Sequence, residues 1–91
     1  MHNLNITKSV DRFLKSQKPK QFRQILQTIL RLRLDPNPHD SKQLIGSPEY
    51  KRVDMGEFRI IYRVESDVVK IVLVGKRNDN DVYKRFKRLS S

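Results

Sequence analysis

From Tyr50 to Tyr83 the chain reads YKRVDMGEFRIIYRVESDVVKIVLVGKRNDNDVY. Three short apolar-rich runs are split by two tight turn signals, and arginine and lysine recur at alternate positions. Alternation assigns side chains to faces, because successive residues of a strand point to opposite sides. Gly56-Glu57 suits a two-residue hairpin with glycine first. It pairs Met55 with Phe58, Asp54 with Arg59, Val53 with Ile60 and Arg52 with Ile61. Ser66-Asp67 marks a second turn, pairing Val64 with Val69, Arg63 with Lys70, Tyr62 with Ile71 and Ile60 with Leu73. One face then carries Val53, Met55, Phe58, Ile60, Tyr62, Val64, Val69, Ile71 and Leu73. The other carries Arg52, Asp54, Arg59, Ile61, Arg63, Lys70, Val72 and Val74. A one-residue slip would bury arginines, so hydrophobic patterning sets the register. Lys51 falls on the apolar side, at a rim.

The apolar face needs a cover, and the N-terminal third supplies one. Thr7 or Ser9 caps a helix whose Val10, Phe13 and Leu14 form one stripe. Gln17-Lys18-Pro19-Lys20 breaks it, since proline is tolerated only at a helix start. Phe22, Ile25, Leu26, Ile29 and Leu30 then fit i, i+3, i+4, i+7, i+8, a second helix ending near Leu34 before Asp35-Pro36-Asn37-Pro38. The short break makes the two a hairpin. His2–Ile6 alternates weakly, as an edge strand does. His39–Glu49 reads as a surface loop, with Leu44 and Ile45 tucked inward and Gly46-Ser47-Pro48 as a turn. After Gly75-Lys76-Arg77, Asn78 or Asp79 caps a last helix over Asp81–Leu89, with Val82, Phe86 and Leu89 facing protein. The expected fold class is α+β, a small antiparallel sheet packed on an N-terminal helix hairpin, with a C-terminal helix. Residues 1–91 form one domain.

Composition narrows the chemistry. The chain lacks cysteine, which excludes disulfides, thiolate zinc sites and cysteine nucleophiles. His2 and His39 are isolated, and Asp79 and Asp81 do not make a calcium loop, so no metal site or other cofactor is expected. No serine-histidine-aspartate arrangement or phosphate-binding glycine loop is present. No run reaches the roughly 20 apolar residues of a membrane span, and the N-terminus has no secretion signal. A cytoplasmic location with no membrane partner follows as the expectation. The net charge of +10, from 20 Lys+Arg against 10 Asp+Glu, favours a polyanionic partner such as nucleic acid or an acidic protein.

The cations are also placed. Arg77 and Lys76 emerge beside the end of the strand bearing Val74, the residue set opposite Arg59. Guanidiniums bind phosphate through paired hydrogen bonds. Two that converge can stabilise the extra charge of a pentacoordinate phosphoryl transition state. Tyr83 can stack on a base or hydrogen-bond at a cleavage site. Such a group can cut RNA with the substrate's own 2′-hydroxyl as nucleophile. A solvated basic face, with Tyr83 as a packing residue, accounts for the same residues without chemistry.

Tyr50-Lys51-Arg52 and Gly56-Glu57-Phe58-Arg59-Ile60-Ile61-Tyr62-Arg63-Val64 resemble the core of RelE/ParE-superfamily toxins of type II toxin–antitoxin systems. Val74-Gly75-Lys76-Arg77, with Tyr83 six residues on, is similar to the end of the RelE-type ribonucleases. Leu34-Asp35-Pro36-Asn37-Pro38 and Lys42-Gln43-Leu44-Ile45-Gly46 are similar to the family's connector. The resemblance covers nearly the whole chain. It implies a RelE-like toxin that cleaves mRNA on the ribosome, beside 16S rRNA, without metal, and that a cognate antitoxin neutralises. No small-molecule ligand is implied. Arg59 and Arg77 match the phosphate-stabilising arginines, Tyr83 the active-site tyrosine and Arg52 the first strand cation. Lys51, Arg63 and Lys76 are the implied RNA contacts. Asp54 stands where the family carries a second strand cation. As a carboxylate it is either a general base or a neutraliser of Arg59. The alternatives to an mRNA interferase are a ParE-type poison of DNA gyrase and a catalytically weakened relative that binds RNA or antitoxin.

Overall fold

Thr7 begins the folding logic of the N-terminal third. In the computed structural model, which describes residues 2–77 and 81–90, its hydroxyl accepts from the Val10 N–H at 3.3 Å and caps helix α1, Lys8–Lys15. Capping satisfies one of the helix's orphan donors. Val10 and Leu14 are buried on the inner stripe. Helix α2, Pro19–Leu34, starts on its proline, where the missing N–H costs nothing. Its buried face is Ile25, Thr28, Ile29 and Leu32. Leu30, expected inside, is 43% exposed: the inner stripe follows Ile25, Ile29 and Leu32, and Leu30 lies off its edge.

Among the described residues the sheet has five strands in the order β1-β5-β4-β3-β2: β1 is Asn3–Ile6, β2 Lys42–Leu44, β3 Ser47–Met55, β4 Phe58–Glu65 and β5 Val68–Lys76. It is mixed rather than wholly antiparallel, because β1 pairs parallel to β5, and the helix hairpin carries the chain from β1 at one edge of the sheet to β2 at the other. The segment expected as a loop holds β2, which pairs antiparallel with β3. Leu44 is buried as expected, but Ile45 is fully exposed at the tip of the β2–β3 turn, with Gly46 at φ +82° taking the second turn position. A turn tip projects away from both faces, so Ile45 has nothing to tuck into.

The β3–β4 pairing is the one expected, from Arg52 opposite Ile61 to Met55 opposite Phe58, with Gly56 at φ +57°. The β4–β5 pairing is as expected from Val64–Val69 to Tyr62–Ile71 and then shifts. Ile61 faces Leu73, Ile60 faces Val74 and Arg59 faces Gly75, so the expected Ile60–Leu73 and Arg59–Val74 pairs do not form. Val72 is the additional residue of a bulge, which changes the facing of everything after it. Thr7 Oγ1 donates to the Val72 carbonyl at 3.1 Å, giving that carbonyl a partner where the strand bends.

The bulge divides the apolar residues into two cores. Val53, Phe58, Ile60, Tyr62, Val69, Ile71 and Val74 pack with α1 and α2. Leu44, Ile61, Val72 and Leu73 pack with Val82 and Phe86 of helix α3, Asp81–Ser90, on the opposite face. Leu73 and Val74 therefore exchange the faces assigned from alternation. The expected caps Asn78 and Asp79, and the side chain of Leu89, lie outside the described residues. The face that carries the cations is thus half covered by α3. Among the described residues no helix is long and apolar enough to cross a membrane.

Candidate functional site

Asp54 and Arg59 are cross-strand neighbours two residues from either side of the Gly56-Glu57 turn. Short separation from a tight turn fixes both backbones, and the pair closes into a two-pronged contact. Arg59 Nε donates to Asp54 Oδ1 at 2.6 Å and Nη2 donates to Oδ2 at 3.1 Å. Arg52, two residues before Asp54 on the same face, brings Nη1 to 3.7 Å from Oδ2. Arg77 arrives from the end of β5, where its N–H donates to the Glu57 carbonyl at 2.8 Å, and its Nε lies 3.9 Å from Oδ2. One carboxylate is thus surrounded by three guanidiniums, and the quartet keeps a net charge of +2, three cations less one anion.

The hydrogen bonds from Arg59 hold the Asp54 carboxyl below its ordinary range; burial opposes this, and the charges of Arg59, Arg52 and Arg77 add to it. The same hydrogen bonds raise the Arg59 guanidinium, again against burial. Asp54 is therefore an anion at neutral pH and a weak proton acceptor while Arg59 holds it.

Helix α3 supplies the fourth side. Arg59 Nη1 donates to the Tyr83 hydroxyl oxygen, and the guanidinium carbon lies 5.4 Å from the ring centroid. With its oxygen accepting from Arg59, Tyr83 keeps its own O–H as a donor. Gly75 lets α3 come this close: a Cβ there would overlap the Val82 side chain and lie 2.7 Å from Arg85 Nη2. Arg85 Nη2 in turn donates to the Val74 carbonyl at 2.9 Å, fastening the helix to β5.

Arg52, Asp54, Arg59, Arg77 and Tyr83 are therefore brought together. Three of the sequence candidates are not. Lys51 pairs with Tyr62 in an unshifted stretch of β3, on the face toward α1 and α2. Lys76 pairs with Phe58 and lines a cleft with Ser16, Gln17 and Glu57 on that same far face. Arg63 shares the site's face but lies four residues along β4, about 13 Å away. It is held there by Glu65 at 2.8 Å and by the Tyr50 ring at 5.4 Å. Sequence reasoning missed Gly75 and Arg85, which place Tyr83. The bulge that puts Gly75 opposite Arg59 leaves no mark in the alternation of VVKIVLV, where every residue after Lys70 is apolar. Among the described residues no group of three metal-ligating side chains occurs.

The family model described as "ParE toxin of type II toxin-antitoxin system, parDE" matches residues 4–81. The chain belongs to this toxin family. No curated protein sequence matches it. Among solved structures, the RelE of the archaeal RelE–RelB complex from Pyrococcus horikoshii is 28% identical, with a TM-score of 0.73 over 84% of this chain and 94% of that one. A mutant Escherichia coli toxin RelE in the free state is 20% identical, with a TM-score of 0.77 over 96% of each chain. The RelBE2 toxin–antitoxin complex from Mycobacterium tuberculosis gives 20% identity and a TM-score of 0.72, over 84% of this chain and 98% of that one. The toxin thus matches a ParE family model while its solved likenesses carry the RelE fold, both within the superfamily that the sequence resembles.

Proposed function

We propose that this toxin is an endoribonuclease that cuts mRNA on the ribosome and is restrained by a cognate antitoxin. The observation that carries the reading is the Arg59–Tyr83 contact set among Arg52 and Arg77. A phosphodiester laid on this cluster meets three guanidiniums and a phenolic O–H. The 2′-hydroxyl attacks the adjacent phosphorus, the P–O5′ bond breaks, and the products carry a 2′,3′-cyclic phosphate and a 5′-hydroxyl. The arginines offset the added charge of the pentacoordinate state. In this reading Arg77, half exposed at the end of β5, assists the departing 5′-oxygen. Asp54 is the carboxylate available to take the 2′-hydroxyl proton, once a phosphate has drawn Arg59 away from it. DNA lacks that hydroxyl and is not cut by this route. The partner reading rests on likeness to chains solved as RelE–RelB complexes.

Poisoning of DNA gyrase is the second reading, favoured by the match to the ParE family model. Induced expression with mapping of mRNA 5′ ends separates the two. The proposal expects growth arrest with new 5′ ends inside translated messages, lost in Arg59→Ala and Arg77→Ala. Arrest with DNA damage and intact messages overturns it in favour of gyrase. A harmless parent chain overturns both.

A further inference from the structure

The Arg59–Tyr83 cluster opens on one side into a groove of about 490 Å³ between the β2–β3 turn and α3. Lys42, Leu44, Ile45, Arg52, Tyr83 and Lys87 line it. Arg52 and Tyr83 belong to both the groove and the cluster, so the two are continuous. Three features describe its occupant. The size is that of a small-ligand cleft, roughly 300–1,000 Å³. Its charged lining is entirely cationic, Lys42, Arg52 and Lys87, with no carboxylate among the described residues that line it. Its outer wall is Ile45, a large apolar side chain fully exposed on a two-residue turn with Gly46 at positive φ.

We infer that this groove is a nucleobase subsite, taking the unpaired base next to the phosphate held at Arg59. The base lies against Ile45 and Leu44, and its backbone runs along Lys42 and Lys87. An unstacked RNA base offers an apolar face and an anionic link, and the groove offers the complement of each. Contact with a base is how a phosphate-binding cluster acquires sequence preference. The subsite rests on the RNA reading proposed above, and the test separates their failures.

Methyl and aromatic-ring NMR spectra of the whole chain are followed during titration with a fully 2′-O-methylated tetraribonucleotide, which cannot be cut by 2′-hydroxyl attack. The expected result is saturable shifts at the Ile45 and Leu44 methyls, together with perturbation at Tyr83. An abasic oligomer of the same length should perturb Tyr83 and leave Ile45 unmoved. Ile45→Ala, harmless to a side chain that packs on nothing, should weaken the base-bearing oligomer about fivefold, the scale of losing roughly 40 Å² of apolar contact. Shifts at Tyr83 with none at Ile45 overturn the subsite and leave the RNA reading standing. Equal Ile45 shifts from both oligomers, or unchanged affinity in Ile45→Ala, also overturn it. Shifts with a polyglutamate peptide and none with either oligomer assign the groove to an acidic protein segment and remove both readings.

Discussion

Replacing Asp54 with asparagine tests how the cluster is restrained, because the change removes one charge and almost no volume. The carboxylate now accepts from Arg59 at 2.6 and 3.1 Å and lies 3.7 and 3.9 Å from Arg52 and Arg77. Asparagine keeps one acceptor oxygen, so one Arg59 N–H is freed. A freed donor is worth about 0.5 kcal/mol to an incoming phosphate. One more net charge, acting at about 5 Å through an effective dielectric of about 60, adds about 1 kcal/mol. Together these predict about tenfold tighter binding of a 2′-O-methylated RNA. Cleavage should move the other way. If Asp54 takes the 2′-hydroxyl proton, its loss slows the cut by about 10²–10⁴. The fold should lose about 1–2 kcal/mol, the value of a charged hydrogen-bond pair discounted for a carboxylate whose side chain is 31% exposed. The sign with pH follows from the depressed Asp54 value. Its stabilisation is fully present above the ordinary carboxylate pKa of about 3.9 and is lost as pH falls through the lower folded value. The wild-type advantage in denaturant titrations should thus persist at pH 5 and shrink below pH 4. Fluorescence anisotropy over a salt series measures the binding. A folded Asp54→Asn chain that binds RNA no more tightly refutes the claim that this carboxylate competes with phosphate for Arg59.

Gly75→Ala should destabilise the chain by about 1–3 kcal/mol, because the new Cβ overlaps Val82 and pushes α3 outward. The Tyr83 ring signals in NMR should shift with the lower melting temperature; an unchanged melt contradicts the close approach. Ser66 sits at φ 52°, a left-handed position on the second hairpin turn. Ser66→Gly relieves that strain and should raise stability by about 0.5–1 kcal/mol, read as a higher denaturant midpoint with the slope unchanged.

Much of the site was legible because hairpin turns are local chemistry. Gly56-Glu57 pins Asp54 opposite Arg59, and alternation puts Arg52 beside them. That same alternation puts Lys51 on the far face, away from the cluster the resemblance would have it join. What escaped was set by groups distant in sequence. Leu30 and Ile45 are apolar residues whose exposure depends on where the sheet and turn lie, not on their own periodicity. The bulge at Val72 sits in a run of apolar residues, where a one-residue shift costs no hydrophobic contact and so carries no pattern to read.

The alternation between Tyr50 and Tyr83 by itself determined a sheet with an apolar face, a cationic face and a carboxylate among the arginines. Burying arginines would cost too much for any other register of the first hairpin. Only the tertiary structure decided that the cationic face is half covered. Thr7, 65 residues away from Val72 along the chain, meets the bulge. The bulge sets Gly75 opposite Arg59, and α3 settles on the space that glycine leaves. That chain of contacts brings Tyr83 to Arg59, and it depends on which surfaces meet, which no run of neighbouring residues encodes.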